Sequence, residues 1–290
     1  MRGAKIQGFT LTELIIVIVI MGILATVVTP LIANKFSAVQ QSTQRAHWVQ
    51  QAEYALFQLS QDLANSVPNS IFVDTSNETF EFLGAPANAD LYVARYRDQA
   101  NPGVSNLLEP GNDNVFDIFG SFDVTQPTYV SIGTSDAMAM RTDWANVQSG
   151  GNIGTLAQIL EMELVLDTMA DPISPPETRI TLLATQNFGP GSPFFRAYFT
   201  NGPIAYECDT ARQLLYRVKD YVSLDPLLSF DDRTASLSNR ARVIDNLIAC
   251  NFELIPGSTY QPPTLNVSLE IGDSNGTIQL IDTIVLSSGS

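Results

Sequence analysis

Apolar and polar positions divide the chain near its start. Residues Leu14 to Ala33 carry no charged side chain, and 20 helical residues at about 1.5 Å each cross the roughly 30 Å hydrocarbon layer of a bilayer. The run predicts a membrane-spanning helix. Beyond it a helical period continues, with Val49, Ala52, Leu56, Leu59 and Leu63 at alternating spacings of three and four. Those residues form one apolar stripe, and Gln50, Gln51, Glu53, Gln58 and Gln61 fall on the opposite face. This second half is expected to bury one side only. Val67-Pro68-Asn69 ends it, because the residue before proline is driven out of helical geometry.

After Pro68 the period shortens toward two. Thr79 to Leu83 and Leu91 to Arg97 alternate as short strands, and Asn101 to Gly154 reads as short strands with long loops, broken by Gly, Pro, Asn and Asp. Gly111-Asn112-Asp113-Asn114 with Asp117 lacks the spaced ligands and closing glutamate of a calcium loop and is read as a polar turn. From Arg179 the segments 179–184, 194–199, 203–208 and 213–218, joined by turn residues, predict an antiparallel meander. Residues 239–249, with Val243, Leu247 and Ile248 on one face, read as a short helix before a strand over 251–255. Residues 265–271 and 277–282 flank Asn275-Gly276 as a closing hairpin, with Asp273 explained by the turn.

Charge and chemistry narrow the function. The formal net charge is −15, and the three lysines are scattered at positions 5, 35 and 219. Clustered cations for phosphate contacts are therefore missing, and nucleic acid is an unsuitable partner. Gly-x-Ser-x-Gly, His-Glu-x-x-His and a glycine-rich phosphate loop are absent from the sequence, and His47, beside Trp48, is its one histidine. The reading is non-enzymatic, without catalytic residues, metal or cofactor. Arg2 and Lys5 put the N-terminus on the cytoplasmic side and everything after Lys35 outside. Cys208 and Cys250 would there form a disulfide, closing a loop of roughly 43 residues worth about 4 kcal/mol. Two free thiols or half of a metal site are the rival readings.

The boundary before the apolar run carries more than an anchor requires: a basic leader, Gly8, the bulky Phe9, then a lone Glu13. A carboxylate in an apolar helix costs about 2.5–3.5 kcal/mol at the bilayer centre, so it needs a partner or a shallow site. At headgroup depth the positive end of the helix would also favour it. This arrangement resembles the class III signal of type IV pilins and pseudopilins. The resemblance implies cleavage after Gly8 by prepilin peptidase, N-methylation of Phe9, and pairing of Glu13 with the N-terminal amine of a neighbouring subunit during assembly. Gly22 and Pro30 fall where such helices carry helix-weakening residues, and a bend or local melting is expected from Thr26 to Pro30.

The implied fold is α+β: a long N-terminal helix, half transmembrane and half amphipathic, packed on an antiparallel β-sheet head. The expected divisions are a leader over 1–8, a transmembrane and assembly segment over 9–35, the amphipathic half over 36–67 and an exported head over 68–290. Tyr54-Ala55-Leu56-Phe57-Gln58-Leu59, Gly202-Pro203-Ile204-Ala205-Tyr206-Glu207-Cys208 and Asn246-Leu247-Ile248-Ala249-Cys250-Asn251-Phe252 resemble minor pilins of the mannose-sensitive haemagglutinin pilus, related to J-type minor pseudopilins of type II secretion. The resemblance implies an inner-membrane protein with a periplasmic head, whose partners are prepilin peptidase, membrane lipid and, through the N-terminal helix, other major and minor pilins. An adhesin-like binding module at a pilus tip, using the region from Asn101 to Thr178, is the alternative function.

Overall fold

The computed structural model describes residues 10–64, 66–86, 92–97, 106–109, 111–122, 128–133, 136–166, 175–219, 221, 240–258 and 261–286. A long apolar helix followed by antiparallel sheets makes the fold α+β, with few helices. The chain separates into two units, Met1–Val49 and Gln50–Ser290. Helix α1, Leu11–Ala64, contributes to both.

In the first unit the apolar residues of α1 are exposed along the run. The helix contains a window of mean hydropathy 2.9 and is long and apolar enough to cross a membrane. Pro30 lies inside it, and residues 26–30 are helical rather than melted. The Thr26 hydroxyl donates to the carbonyl of Ile23 at 2.8 Å.

In the second unit the expected stripe is buried. Ala52, Leu56, Leu59 and Leu63 all lie in the core, together with Ala55, whereas Gln50, Glu53 and Gln61 are exposed. Small residues first and leucines after them, at helical spacing, make up this face, and removing it from water holds the helix end in place.

The strands of the second unit form three antiparallel sheets. The five-stranded sheet has the order β1-β2-β9-β10-β11, from β1 (Phe72–Val73), β2 (Thr79–Gly84), β9 (Gly202–Asp209), β10 (Leu214–Lys219) and β11 (Arg240–Asp245). The six-stranded sheet has the order β3-β8-β5-β6-β7-β4, from β3 (Val93–Arg95), β4 (Asp113–Phe119), β5 (Tyr129–Ile132), β6 (Leu156–Leu164), β7 (Glu177–Gln186) and β8 (Arg196–Thr200). The third contains β12 (Leu247–Ile255), β13 (Thr264–Asp273) and β14 (Gly276–Val285).

Several expectations give way here. The described part of the segment expected as a helix over 239–249, residues 240–249, is not helical: β11 and β12 occupy it, separated by Asn246 at φ 60°. That left-handed residue inserts an extra step into an alternating pattern. The buried Ile244 and Leu247 therefore stand three apart, an interval that mimics a helix. The meander holds only for β9 and β10, which pair from Leu214–Asp209 to Lys219–Ile204. Strand β8 ends at Thr200 and β9 begins at Gly202, yet they enter different sheets. The Thr200 hydroxyl donates to the Gly84 carbonyl at 2.6 Å and accepts from the Gly202 amide at 3.0 Å, fixing the crossing. Gly202 has φ 128° there, a region that L side chains avoid.

The described residues between Asn101 and Thr178 hold a helix as well as the expected short strands. Besides β4, β5 and β6 they include helix α2, Ala137–Gln148, whose first turn is capped by Asp136 accepting from the Ala139 amide at 2.9 Å. Met140, Trp144 and Val147 bury one face of α2 in a core with Leu83, Leu156, Ala205 and Val218. Arg141 reaches Glu81 of β2 at 2.6 Å, both side chains buried, and the Tyr221 hydroxyl donates to the other Glu81 oxygen at 2.9 Å. A second core, including Phe116, Ile118, Val130, Ile180 and Phe199, lies on the six-stranded sheet. The closing hairpin is present as β13 and β14, its two-residue loop being Ser274-Asn275. Asp273 accepts from the Asn275 amide at 2.7 Å, as a turn residue should.

Candidate functional site

Gly8 and Phe9 lie outside the described residues, and the described chain opens on Thr10. Thr10 and Glu13 form a reciprocal cap on the first turn of α1. The Thr10 amide and hydroxyl each donate to Glu13 Oε2 at 2.9 Å, and the Glu13 amide donates to Thr10 Oγ1 at 3.4 Å. The first N–H groups of a helix have no partner within it, so this exchange satisfies two of them. The sequence signal is Thr-x-x-Glu directly before an apolar run. Glu13 therefore has a local structural task, which the charge argument alone did not reveal.

At the other end of α1, within the second unit, Asp62 meets two strands of the five-stranded sheet. The Tyr206 hydroxyl of β9 donates to Asp62 Oδ2 at 2.6 Å, and Arg217 of β10 donates from Nε to the same oxygen at 2.6 Å and from Nη2 to Oδ1 at 3.0 Å. Tyr206 and Arg217 are cross-strand neighbours in the register. Burial first, and then the Asp62 carboxylate, push the Tyr206 phenol above its ordinary range. Burial, the largest single influence, lowers the Arg217 guanidinium, but the hydrogen bond and charge of Asp62 together with Tyr206 outweigh it and the net direction is up. Asp62 was legible only as an acidic residue beside the stripe members Leu59 and Leu63; its two partners are 144 and 155 residues away.

Cys208 of β9 and Cys250 of β12 form a disulfide with Cα atoms 6.4 Å apart, joining the five-stranded sheet to the three-stranded one. An aromatic group lies in the same unit: Phe80 stacks on Tyr206 at 5.3 Å and meets Phe252 edge-on at 4.7 Å. The helix–strand junction expected at Cys250 is thus a strand, and the bridge ties sheet to sheet.

His47 is exposed and Trp48 is buried. Asp117, from the stretch weighed as a calcium loop, is fully buried in β4 and accepts both Nε and Nη2 of Arg179, at 2.9 and 3.1 Å, and the Asn106 amide at 2.7 Å. Its carboxylate oxygens are committed to protein donors. Among the described residues, none of the His, Cys, Asp and Glu side chains gather in groups of three suited to a metal ion.

Residues 3–29 match the prokaryotic N-terminal methylation motif. No curated protein and no solved structure matches the chain. The matched stretch contains Gly8, Phe9, Glu13 and Gly22 and runs into one unbroken helix. Proteins with this motif are structural rather than catalytic, and the motif implies processing by prepilin peptidase. An N-terminal methylation motif continuous with an apolar helix long enough to cross a membrane supports the placement of this chain among the type IV pilin-like proteins and pseudopilins.

Proposed function

We propose that this chain is a minor pilin or pseudopilin, a non-enzymatic subunit for the tip or initiation complex of a type IV pilus of the mannose-sensitive haemagglutinin type, or of a type II secretion pseudopilus. One observation carries the reading: the methylation motif over residues 3–29 leads into a helix whose far end is built into a large β-rich head. A head of this size is hard to repeat at every position of a thin filament, but it can cap one.

In this reading prepilin peptidase cuts between Gly8 and Phe9 and methylates the new Phe9 amine. The subunit waits in the inner membrane with its head in the periplasm, and Gly22 and Pro30 let α1 bend as it leaves lipid. During assembly Glu13 exchanges its bonds with Thr10 for the charged amine of a neighbouring subunit, a stronger partner in an apolar setting. Helix packing then joins it to major and minor pilins.

The test is intact mass and N-terminal sequencing of the protein recovered from membranes with and without the peptidase. A chain starting at methylated Phe9 only when the peptidase is present is expected. An uncut chain in both samples would reduce the protein to an anchored exoprotein. For the position in the filament, a deletion strain should lose pilus number or length, and normal piliation would count against a tip or initiation role.

A further inference from the structure

Strands β3 and β8 pair at one edge of the six-stranded sheet, and their register sets Arg95 directly opposite Arg196. Like charges facing each other across an antiparallel pair are unfavourable. Each guanidinium here lies near an aromatic ring, Arg95 at 5.6 Å from the Phe195 centroid and Arg196 at 5.7 Å from that of Phe194. Both rings reach solvent, Phe194 at 53% and Phe195 at 36% exposure.

This display is held against a backbone cost. Phe195 has φ 56°, a left-handed conformation that a bulky residue rarely adopts. The turn is secured by the Phe195 amide donating to the Ser192 carbonyl at 3.0 Å, the Tyr96 amide to the Phe195 carbonyl at 2.8 Å, and the Arg196 amide to Ser192 Oγ at 3.2 Å. The Tyr96 hydroxyl also accepts from the Ser192 amide at 3.1 Å, and its ring meets Phe195 edge-on at 5.6 Å. Arginines and rings line an open cleft of 570 Å³ together with Val93, Ala94 and Pro193. That volume lies within the usual range for small-ligand sites, about 300–1,000 Å³.

We propose that this cleft binds the terminal sugar of a glycan, one that carries a single carboxylate. Planar guanidinium groups match a carboxylate, and the electron-rich aromatic faces take the C–H face of a sugar ring. The rest of the chain limits the ligand's charge. With a net charge of −15, the protein repels polyanions, so a lone carboxylate on an otherwise neutral oligosaccharide suits two arginines carried on an acidic chain. The site adds binding to assembly and does not depend on the filament role. It also lies outside the 101–178 region expected to bind.

The test titrates the purified full-length protein in detergent micelles with sialyllactose, lactose, polygalacturonate and a glutamate-rich decapeptide, read by calorimetry. Sialyllactose should bind at least tenfold more tightly than lactose, and more tightly per carboxylate than either polyanion. Arg196→Gln and Phe194→Ala should each weaken it at least fivefold with the unfolding transition retained, and Tyr54→Ala on α1 should leave it unchanged. Phe194 is half in solvent, so its truncation keeps the test open should the arginine variant fail to fold. Equal binding of lactose, no binding of sialyllactose, or full binding by the Phe194 variant would overturn the proposal. Preference for the decapeptide or the polymer would overturn it in favour of a protein or polyanion partner.

Discussion

Arg217 on β10 grips both carboxylate oxygens of Asp62 on α1, with Nε 2.6 Å from Oδ2 and Nη2 3.0 Å from Oδ1. Each side chain is 17% exposed, so the pair sits where water screens it weakly. The Tyr206 hydroxyl bonds the same carboxylate, and one aspartate thus fastens the last turns of α1 to two adjacent strands. Asp62→Asn should cost about 3 kcal/mol, because it leaves a half-buried guanidinium without its counter-charge. Denaturant unfolding of the purified protein measures the loss, and a change below about 1 kcal/mol would show the clamp to be dispensable.

Alkaline pH should weaken the same junction. The Tyr206 phenol is raised in the folded state, chiefly by burial, so its contribution is fully present below the unfolded tyrosine value of about 10. Above that the unfolded chain releases a proton that the folded chain keeps, and stability falls by about 1.4 kcal/mol per pH unit for this group. Unfolding midpoints measured from pH 8 to 11.5 should show the decline, and Tyr206→Phe should make it shallower.

Gly202→Ala should disturb the crossing between sheets. A Cβ at this residue would stand 3.3 Å from Trp144 Cη2, and φ 128° disfavours any L side chain. A loss of about 1–3 kcal/mol is expected, with a shift in the emission of Trp144, a tryptophan packed in the α2 core. Thermal unfolding followed by fluorescence would detect both, and an unchanged midpoint would show that the crossing tolerates a methyl group.

The disulfide spans a sequence separation of 42 residues, and loop closure of that size is worth about 4 kcal/mol in the chain-entropy account. Replacing both cysteines by serine should lower stability by about that amount and remove any response to reductant. The comparison is made by unfolding with and without dithiothreitol. A wild-type protein indifferent to reductant would contradict the bridge.

Local pattern made the ends of the fold readable. The apolar run, the stripe through Ala52, Leu56, Leu59 and Leu63, and the closing hairpin each depend on neighbours in sequence, and each is present. Helix α2 escaped because Met140, Trp144 and Val147 give three apolar positions at spacings of four and three, set among glycine and polar residues that read as loop. Asp136 before Ala137-Met138-Ala139 was the overlooked start signal. Pairing of β8 with β3 and β5 was unreadable for another reason. No local spacing encodes which sheet Arg196–Thr200 will join once the chain turns at Asn201. The Asp62 clamp and the Arg95–Arg196 pair depend on such distant pairings, so the sites were harder to read than the elements that carry them.

The place of β8 in its sheet also governs the order of events after synthesis. Among the described residues strand β3 has β8 as its only sheet partner, and β5 borders β8 on one side. Until residues 196–200 are free to pair, β3 lacks this partner and β5 offers a bare edge. Closure of this sheet must wait for a strand about a hundred residues behind its neighbour, and pairings of that range form slowly. The newly made head would thus pass through a half-closed stage with adhesive strand edges, during which its survival depends on how fast the remaining chain arrives.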